Sequence, residues 1–267
     1  MPTPAVAPRP ASTILLLRDA ADKNEIEVFM MVRHYEIDFN SGALVFPGGS
    51  VDAGDKDIGA KPELHAGGEG LDTATLNFRI AAIRETFEES GILLARSLGS
   101  TNLIDARGAA EISAAHRSAL CENKISFAQI LSDHQLVLAL DLLVPYAHWI
   151  TPEGMPKRFD TWFFLAAAPH EHIGAHDGKE STDSIWVSPR AALEGGESGR
   201  FKLPFPTTRN LIRLGKHVTV KDALEDSRGK AIVTVMPVIT KLNGGRQLRI
   251  PLEAGYDGDV FEVGANP

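Results

Sequence analysis

The chain has 267 residues, 43% of them hydrophobic, and its 35 acidic side chains outnumber 27 basic ones for a net charge of −8. That apolar content suffices for one substantial core or two smaller ones. The lack of any Lys or Arg run argues against nucleic-acid or membrane-surface binding through bulk electrostatics. Small molecules are therefore the expected partners, and an acidic protein binds a phosphorylated anion only where metal ions or a few placed arginines overcome the local field. The single cysteine, Cys121, excludes an intramolecular disulfide and suits a reducing compartment. No apolar run approaches the roughly 18 residues of a membrane-spanning helix. Cytoplasm is the default location, and "VGANP" at the C-terminus is no peroxisomal address.

Residues 1–11, "MPTPAVAPRPA", are Pro- and Ala-rich and are expected to form a disordered tail, leaving 12–267 as a single domain. "STILLLRD" and "EIEVFMMVRH" then predict a hairpin turning at "ADKN", the first strand apolar enough to be buried on both faces. "ALVFPGGSVDAGD" gives a short strand running into Pro47-Gly48-Gly49 and a second turn at Ala53-Gly54-Asp55. Residues 56–77 are Gly-rich and weakly patterned, which predicts a surface excursion. Helical patterns fill about 92–140, where Cys121 is expected to pack. "LLVPYAHWIT" and "RFDTWFFLAAA" are aromatic-rich strands around "PEGMPK", a second antiparallel hairpin. "DSIWVS" is a strand, followed by a helix with Ser188 as N-cap, Pro189 at its first position and Gly195 past its end. "PTTRNLIRLGK" repeats that pattern with Thr207 or Thr208 as cap and Gly215 as stop. The extension from about 216 to 267 ends in a hairpin around Asn243-Gly244-Gly245.

The stretch "FRIAAIRETFEESGIL", residues 78–93, carries the most chemistry. At helical spacing Glu85, Glu88 and Glu89 share one face and Ile80, Ile83 and Phe87 the other, an amphipathic helix. Each like-charged neighbouring pair costs an isolated helix about 0.2–0.5 kcal/mol. A hard divalent cation with oxygen ligands would offset that cost; the alternative is a solvated acidic face. "PHEHIGAH" offers His170, His172 and His176, but at no strong zinc spacing, and an incidental role is expected. Trp149, Trp162 and Phe163 are expected in the core, with a cleft wall as the alternative.

The acidic helix and "FPGGSVDAGD" together resemble the Nudix hydrolase family. Its box runs glycine, five residues, an acidic residue, seven residues, Arg-Glu, two residues, Glu-Glu, one residue and glycine. Gly49, Asp55, Arg84, Glu85, Glu88, Glu89, Gly91 and Ile92 match it. Two departures stand out: Asp55 occupies a position that usually holds Glu, and Arg84 arrives 21 residues later than position 63, where contiguous spacing would place it. A long insert at that point resembles one branch, the coenzyme A diphosphatases related to the eukaryotic peroxisomal enzyme. "GALVFPGGSVDAGD", "FRIAAIRETFEESGILLAR", "ITPEGMPKRFDTWFFLA" and "IWVSPRAAL" look like that branch and span about 12–215. The Arg-rich element of many coenzyme A hydrolases is partly present: Arg33 and Gly42 fit, and Asp38 stands where a second Arg is expected.

The resemblance implies an α/β fold, the Nudix α/β/α sandwich with a mixed sheet, elaborated by the insert, the helical segment near 92–140 and the C-terminal extension. It implies hydrolysis of a diphosphate bridge with Mg²⁺ or Mn²⁺ held by Glu85, Glu88, Glu89 and the Gly48 carbonyl. Arg84 would orient a neighbouring carboxylate. Glu180, six residues before Trp186, is the choice for general base, with Asp177 and Asp183 as rivals. Arg33 and Arg158 are candidates for the phosphates of the substrate; for each, the alternative is a surface salt bridge. The leading substrate is coenzyme A or acyl-coenzyme A, giving 3′,5′-ADP and a phosphopantetheine. The alternatives are another nucleoside diphosphate derivative (nucleotide sugar, NADH or dinucleotide) and a catalytically weak nucleotide-binding regulator. No nucleic acid or membrane partner is implied, and the oligomeric state is open, a homodimer included.

Overall fold

A computed structural model describes residues 6–21, 24–33, 42–169 and 181–264. Its first strand, β1 (Arg9–Asp19), contains the run Ile14–Leu17 with every side chain buried. Alternation sends Ile14 and Leu16 to one core cluster and Leu15 and Leu17 to another, so the strand lies mid-sheet with both faces covered. It starts at Arg9, inside the stretch expected to be tail, because Arg9 N–H donates to Arg158 O and Val51 N–H to Pro10 O.

β2 (Ile26–Arg33) pairs with β1 only where Leu17–Asp19 face Val28–Ile26, and beyond that the strands splay. Two short strands fill the gap, β3 (Leu44–Val45) on β2 and β4 (Gly48–Ser50) on β1. Ile14 N–H donating to Pro47 O fastens this wedge. Glu85 and Glu89 come against this wedge at the splayed end.

Residues 56–77 are not a surface excursion. They contain most of α1 (Ala53–Gly59), then β5 (His65–Ala66) and the first turn of α2 (Thr73–Ser90). Ile58 and Leu64 are buried against Leu76 and Ile80, an apolar spacing too sparse to register against the surrounding glycines. Helix α2 starts at its Asp72 cap and stops at Gly91, whose φ of 75° is left-handed. It is buried round most of its circumference, Ala81, Ala82, Thr86 and Ser90 included, rather than along one stripe.

The segment 92–140 is only partly helical. Between β6 (Ala95–Ser97) and β7 (Leu136–Ala139) lie α3 (Ala106–Cys121) and α4 (Phe127–Asp133). β7 is the centre of a small sheet, parallel to β5 and antiparallel to β6. Strands of three and four residues are too short for periodicity to separate from helix.

β8 (Val144–Ile150) and β9 (Phe159–Ala167) form the second hairpin, and β9 runs parallel to β1 over nine positions. β10 (Ser181–Val187) closes the other edge on β2. Helices α5 (Pro189–Glu197), α6 (Phe205–Leu214) and α7 (Val220–Ser227) follow. Ser188 caps α5, but Gly195 lies inside it, where a Cβ would sit 2.4 Å from the Phe201 ring, so packing rather than helix termination demands glycine. Pro204 precedes α6, which places Thr207 and Thr208 inside the first turn; the Thr208 hydroxyl donates to Pro204 O. Gly215 ends that helix. β11 (Thr234–Val235) extends the main sheet, and β12 (Val238–Leu242), β13 (Gly245–Arg249) and β14 (Val260–Gly264) form a third sheet.

The main sheet runs β10-β2-β1-β9-β8-β11. One face packs on α2, with Ile80, Ile83 and Phe87 against Ile14, Leu16 and Phe164. The other packs on α6 and α7 through Leu211, Leu214 and Ala223. The result is a three-layer α/β/α sandwich. Among the described residues no helix is long and apolar enough to cross a membrane.

Candidate active site

The last two turns of α2 lie over the glycine wedge, and the contact is close. A Cβ on Gly49 would sit 2.4–2.5 Å from the carboxyl atoms of Glu85, and one on Gly48 would sit 2.3 Å from Ser12 O. Only glycine lets helix and strand approach this far. Gly48 N–H donates to Glu89 Oε2 at 2.8 Å.

Arg84 is the hub of the acidic cluster. Its Nε and Nη2 reach the two oxygens of Asp55 at 2.7 and 2.9 Å. Nη2 also donates to Ser50 O at 2.8 Å, and Nη1 to Glu85 Oε1 at 3.0 Å and Glu88 Oε1 at 3.1 Å. This uses the planar five-donor fork of guanidinium, which a lysine could not reproduce. Asp55 is fully buried and reaches Arg84 across 29 residues because it sits in the first turn of α1. There a capping box fixes it: its carboxylate accepts from Asp52 N–H while the Asp52 side chain accepts from Asp55 N–H.

Burial pushes the Asp55 and Glu88 carboxyls above their ordinary values, with Arg84 pulling each back. Burial also opposes the Arg84 charge, but hydrogen bonding to Asp55 and the field of Glu85, Asp55 and Glu88 outweigh it and hold its pKa above the ordinary one. Arg84 thus stays cationic within a cluster of carboxylates.

Among the described residues no three His, Cys, Asp or Glu side chains converge as a preformed metal site. Glu85 and Glu88 are turned to Arg84, and Glu89 to the Gly48 amide. As chemistry the donors do fit a hard divalent cation: all are oxygen, they share one end of one helix, and a carboxylate has lone pairs for more than one partner.

The other expected residues fall in different places. Arg158 is buried and committed to structure, donating to Thr151 O at 3.0 Å and Val6 O at 2.8 Å, with Nη2 3.6 Å from Met236 Sδ. Backbone carbonyls just after β8 and three residues ahead of β1 take the donors expected at substrate phosphate. Arg33 ends β2 with its backbone opposite Ser181, at the splayed end of the sheet; its side chain lies outside the described residues. Glu180, Asp177, Asp38, His170, His172 and His176 also lie outside them. Asp183 stands on β10 opposite Val32, accepting from Ser184 N–H. Trp149 and Phe163 are core residues, and Trp162 stacks on His148 with centroids 4.4 Å apart. Asp52 and the Ser50 carbonyl join the cluster unforeseen, although Asp-x-x-Asp at capping-box spacing was a signal for the former.

Comparison with known proteins agrees with the fold. The family model for the NUDT19 Nudix domain matches residues 62–214, more than half of the chain. A crystal structure of a Nudix hydrolase from Alicyclobacillus acidocaldarius is similar, at 27% identity and a TM-score of 0.69, covering 82% of this chain and 96% of that one. The chain belongs to the Nudix hydrolase family.

Within the family it is similar to proteins of the NUDT19 branch. The acyl-coenzyme A diphosphatase NUDT19 of Xenopus laevis is 26% identical over 276 residues, covering 88% of this chain and 73% of that protein. A Caenorhabditis elegans protein provisionally named nudix hydrolase 7 is 30% identical over 214 residues, 80% of this chain. The match spans 62% of that relative's length.

Proposed function

We propose that the protein hydrolyses the diphosphate bridge of coenzyme A or acyl-coenzyme A, giving 3′,5′-ADP and the corresponding phosphopantetheine. The carrying observation is the Arg84-centred cluster of Asp55, Glu85 and Glu88 lying over Gly48 and Gly49, with Glu89 on the Gly48 amide. The substrate assignment draws its support from the names of the NUDT19 relatives.

Mg²⁺ or Mn²⁺, held by Glu85, Glu88, Glu89 and the Gly48 carbonyl, would neutralise phosphate charge and lower the pKa of a bound water. The chain's own contribution is positional. Arg84, locked by Asp55 and Ser50 O, sets the starting orientation of Glu85 and Glu88. Glu180, one residue before β10, is the proposed general base, and Arg33, at the neighbouring strand end, the proposed phosphate ligand.

The test is turnover with Mg²⁺ of coenzyme A, an acyl-coenzyme A, ADP-ribose, NADH and a dinucleoside polyphosphate. Preferential cleavage of the coenzyme A compounds is expected, falling by about 10²-fold or more in Glu88→Gln and Glu89→Gln, the scale of removing a charge-stabilising interaction of a few kcal/mol. Preference for another compound overturns the substrate. Binding without turnover of any compound overturns the activity.

A further inference from the structure

The acidic helix has an electrostatic problem at its C-terminal end. Glu85, Glu88 and Glu89 lie in its last two turns, where the helix dipole disfavours negative charge and the last carbonyls have no intrahelical donor. Gly91 N–H satisfies Phe87 O. The carbonyls of Glu88 and Glu89 are met from α3: Arg117 Nε donates to Glu88 O at 2.8 Å and Arg117 Nη2 to Glu89 O at 2.8 Å. The Cys121 thiol, one turn further along α3, lies 3.7 Å from Glu88 O. The approach is tight: a Cβ on Gly91 would sit 2.8 Å from Ser113 Oγ and 3.3 Å from Arg117 Nη1.

We infer that Arg117 is a positioning residue for the hydrolytic site: its guanidinium clamps the backbone of Glu88 and Glu89, stops the last turn of α2 from fraying, and places a cation at the negative end of the helix. The inference rests on the assignment of those glutamates as cation ligands. It gives α3 a task, since one arginine bridging two consecutive carbonyls fixes both Cα positions from which the carboxylates project. A lysine brings the charge but no fork.

Arg117→Ala and Arg117→Lys are compared with wild type and with Arg107→Ala, whose exposed arginine pairs with Glu111 on the same helix. Three quantities are read: Mn²⁺ affinity of the protein alone by electron paramagnetic resonance, kcat and KM on acyl-coenzyme A, and Tm. Arg117→Ala is expected to weaken Mn²⁺ binding and lower kcat by about 10- to 100-fold each, the usual cost of losing a group that orients metal ligands. KM should hold, because the two hydrogen bonds that Arg117 gives to α2 go to backbone carbonyls. Arg117→Lys should fall between, and Arg107→Ala should match wild type. Unchanged Mn²⁺ affinity and kcat in Arg117→Ala, whatever happens to Tm, overturns the inference; if that variant does not fold, unchanged values in Arg117→Lys do the same. Should wild type cleave nothing in the substrate panel, the hydrolase assignment falls, while loss of Mn²⁺ affinity in Arg117→Ala still upholds the clamp.

Discussion

Gly48 and Gly49 are adjacent, yet a methyl group on each would meet different things. On Gly48 it would strike backbone, 2.3 Å from Ser12 O and 2.7 Å from Thr13 Cα, and two paired strands would have to part. On Gly49 the nearest atoms it would strike belong to the end of a flexible side chain, the Glu85 carboxylate. Gly48→Ala is therefore expected to lose at least about 1–3 kcal/mol of stability, the usual cost of overpacking. Gly49→Ala should keep its Tm within a few degrees but lose turnover by about 10²-fold, because displacing a positioned group by about 1 Å costs that much. Thermal unfolding and kcat/KM on both variants check the contrast. A Gly49→Ala enzyme with wild-type turnover would mean that Glu85 works from elsewhere.

Among the elements, those with long or strongly biased patterns were legible: the hairpins β1–β2, β8–β9 and β12–β13, the strand β10, the caps at Ser188 and Gly215, and the acidic helix with its buried Ile80, Ile83 and Phe87. What escaped was whatever depends on a distant partner. β5, β6 and β7 have two to four residues each and exist because they pair with one another. Arg158 carries no local mark separating a phosphate ligand from a donor to backbone carbonyls. The motif named Asp55 and Arg84, but neither their contact nor the depth at which Asp55 is buried could be read from it. The small sheet is tied off by Arg96 on β6, which grips both oxygens of Asp141 at 2.6 and 2.8 Å. Hydrogen bonding to Arg96 holds the Asp141 carboxyl below its ordinary value. A carboxyl with a lower pKa folded than unfolded adds stability above the unfolded value and loses it as pH falls through the folded one. Asp141→Asn should thus lower Tm at pH 7, and its gap to wild type should start to narrow below about pH 4 and close only below the depressed folded value. A gap that does not narrow at all as pH is lowered from about 5 to about 2 would assign the contribution to hydrogen-bond geometry rather than charge.

For the molecule as a whole, the question is why the Nudix motif tolerates a 21-residue interruption. The structure answers that the motif is spatial: Asp55 and Arg84 meet although α1, β5 and a turn lie between them in sequence. The inserted residues pack rather than loop away. Ile58 is fully buried and Leu64 nearly so, both within the cluster that holds Leu76, Ile80 and Phe87 of the acidic helix, and Phe87 stacks on Phe127 of α4 at 5.8 Å. The insert and the 92–140 segment therefore enclose α2 on the sides the sheet leaves open, so that the helix bearing the glutamates is held as a core element. Ile58→Ala and Leu64→Ala should each cost about 2–5 kcal/mol in denaturant unfolding, as buried large-to-small changes do, where a surface excursion would tolerate them within about 0.5 kcal/mol. Because Ile58 sits three residues after Asp55 on α1, Ile58→Ala should also loosen the Asp55–Arg84 pair and lower turnover by more than Leu64→Ala at equal loss of stability. Equal turnover in the two variants would mean that α1 serves the core alone, and that Arg84 is held in place by Ser50 and the glutamates.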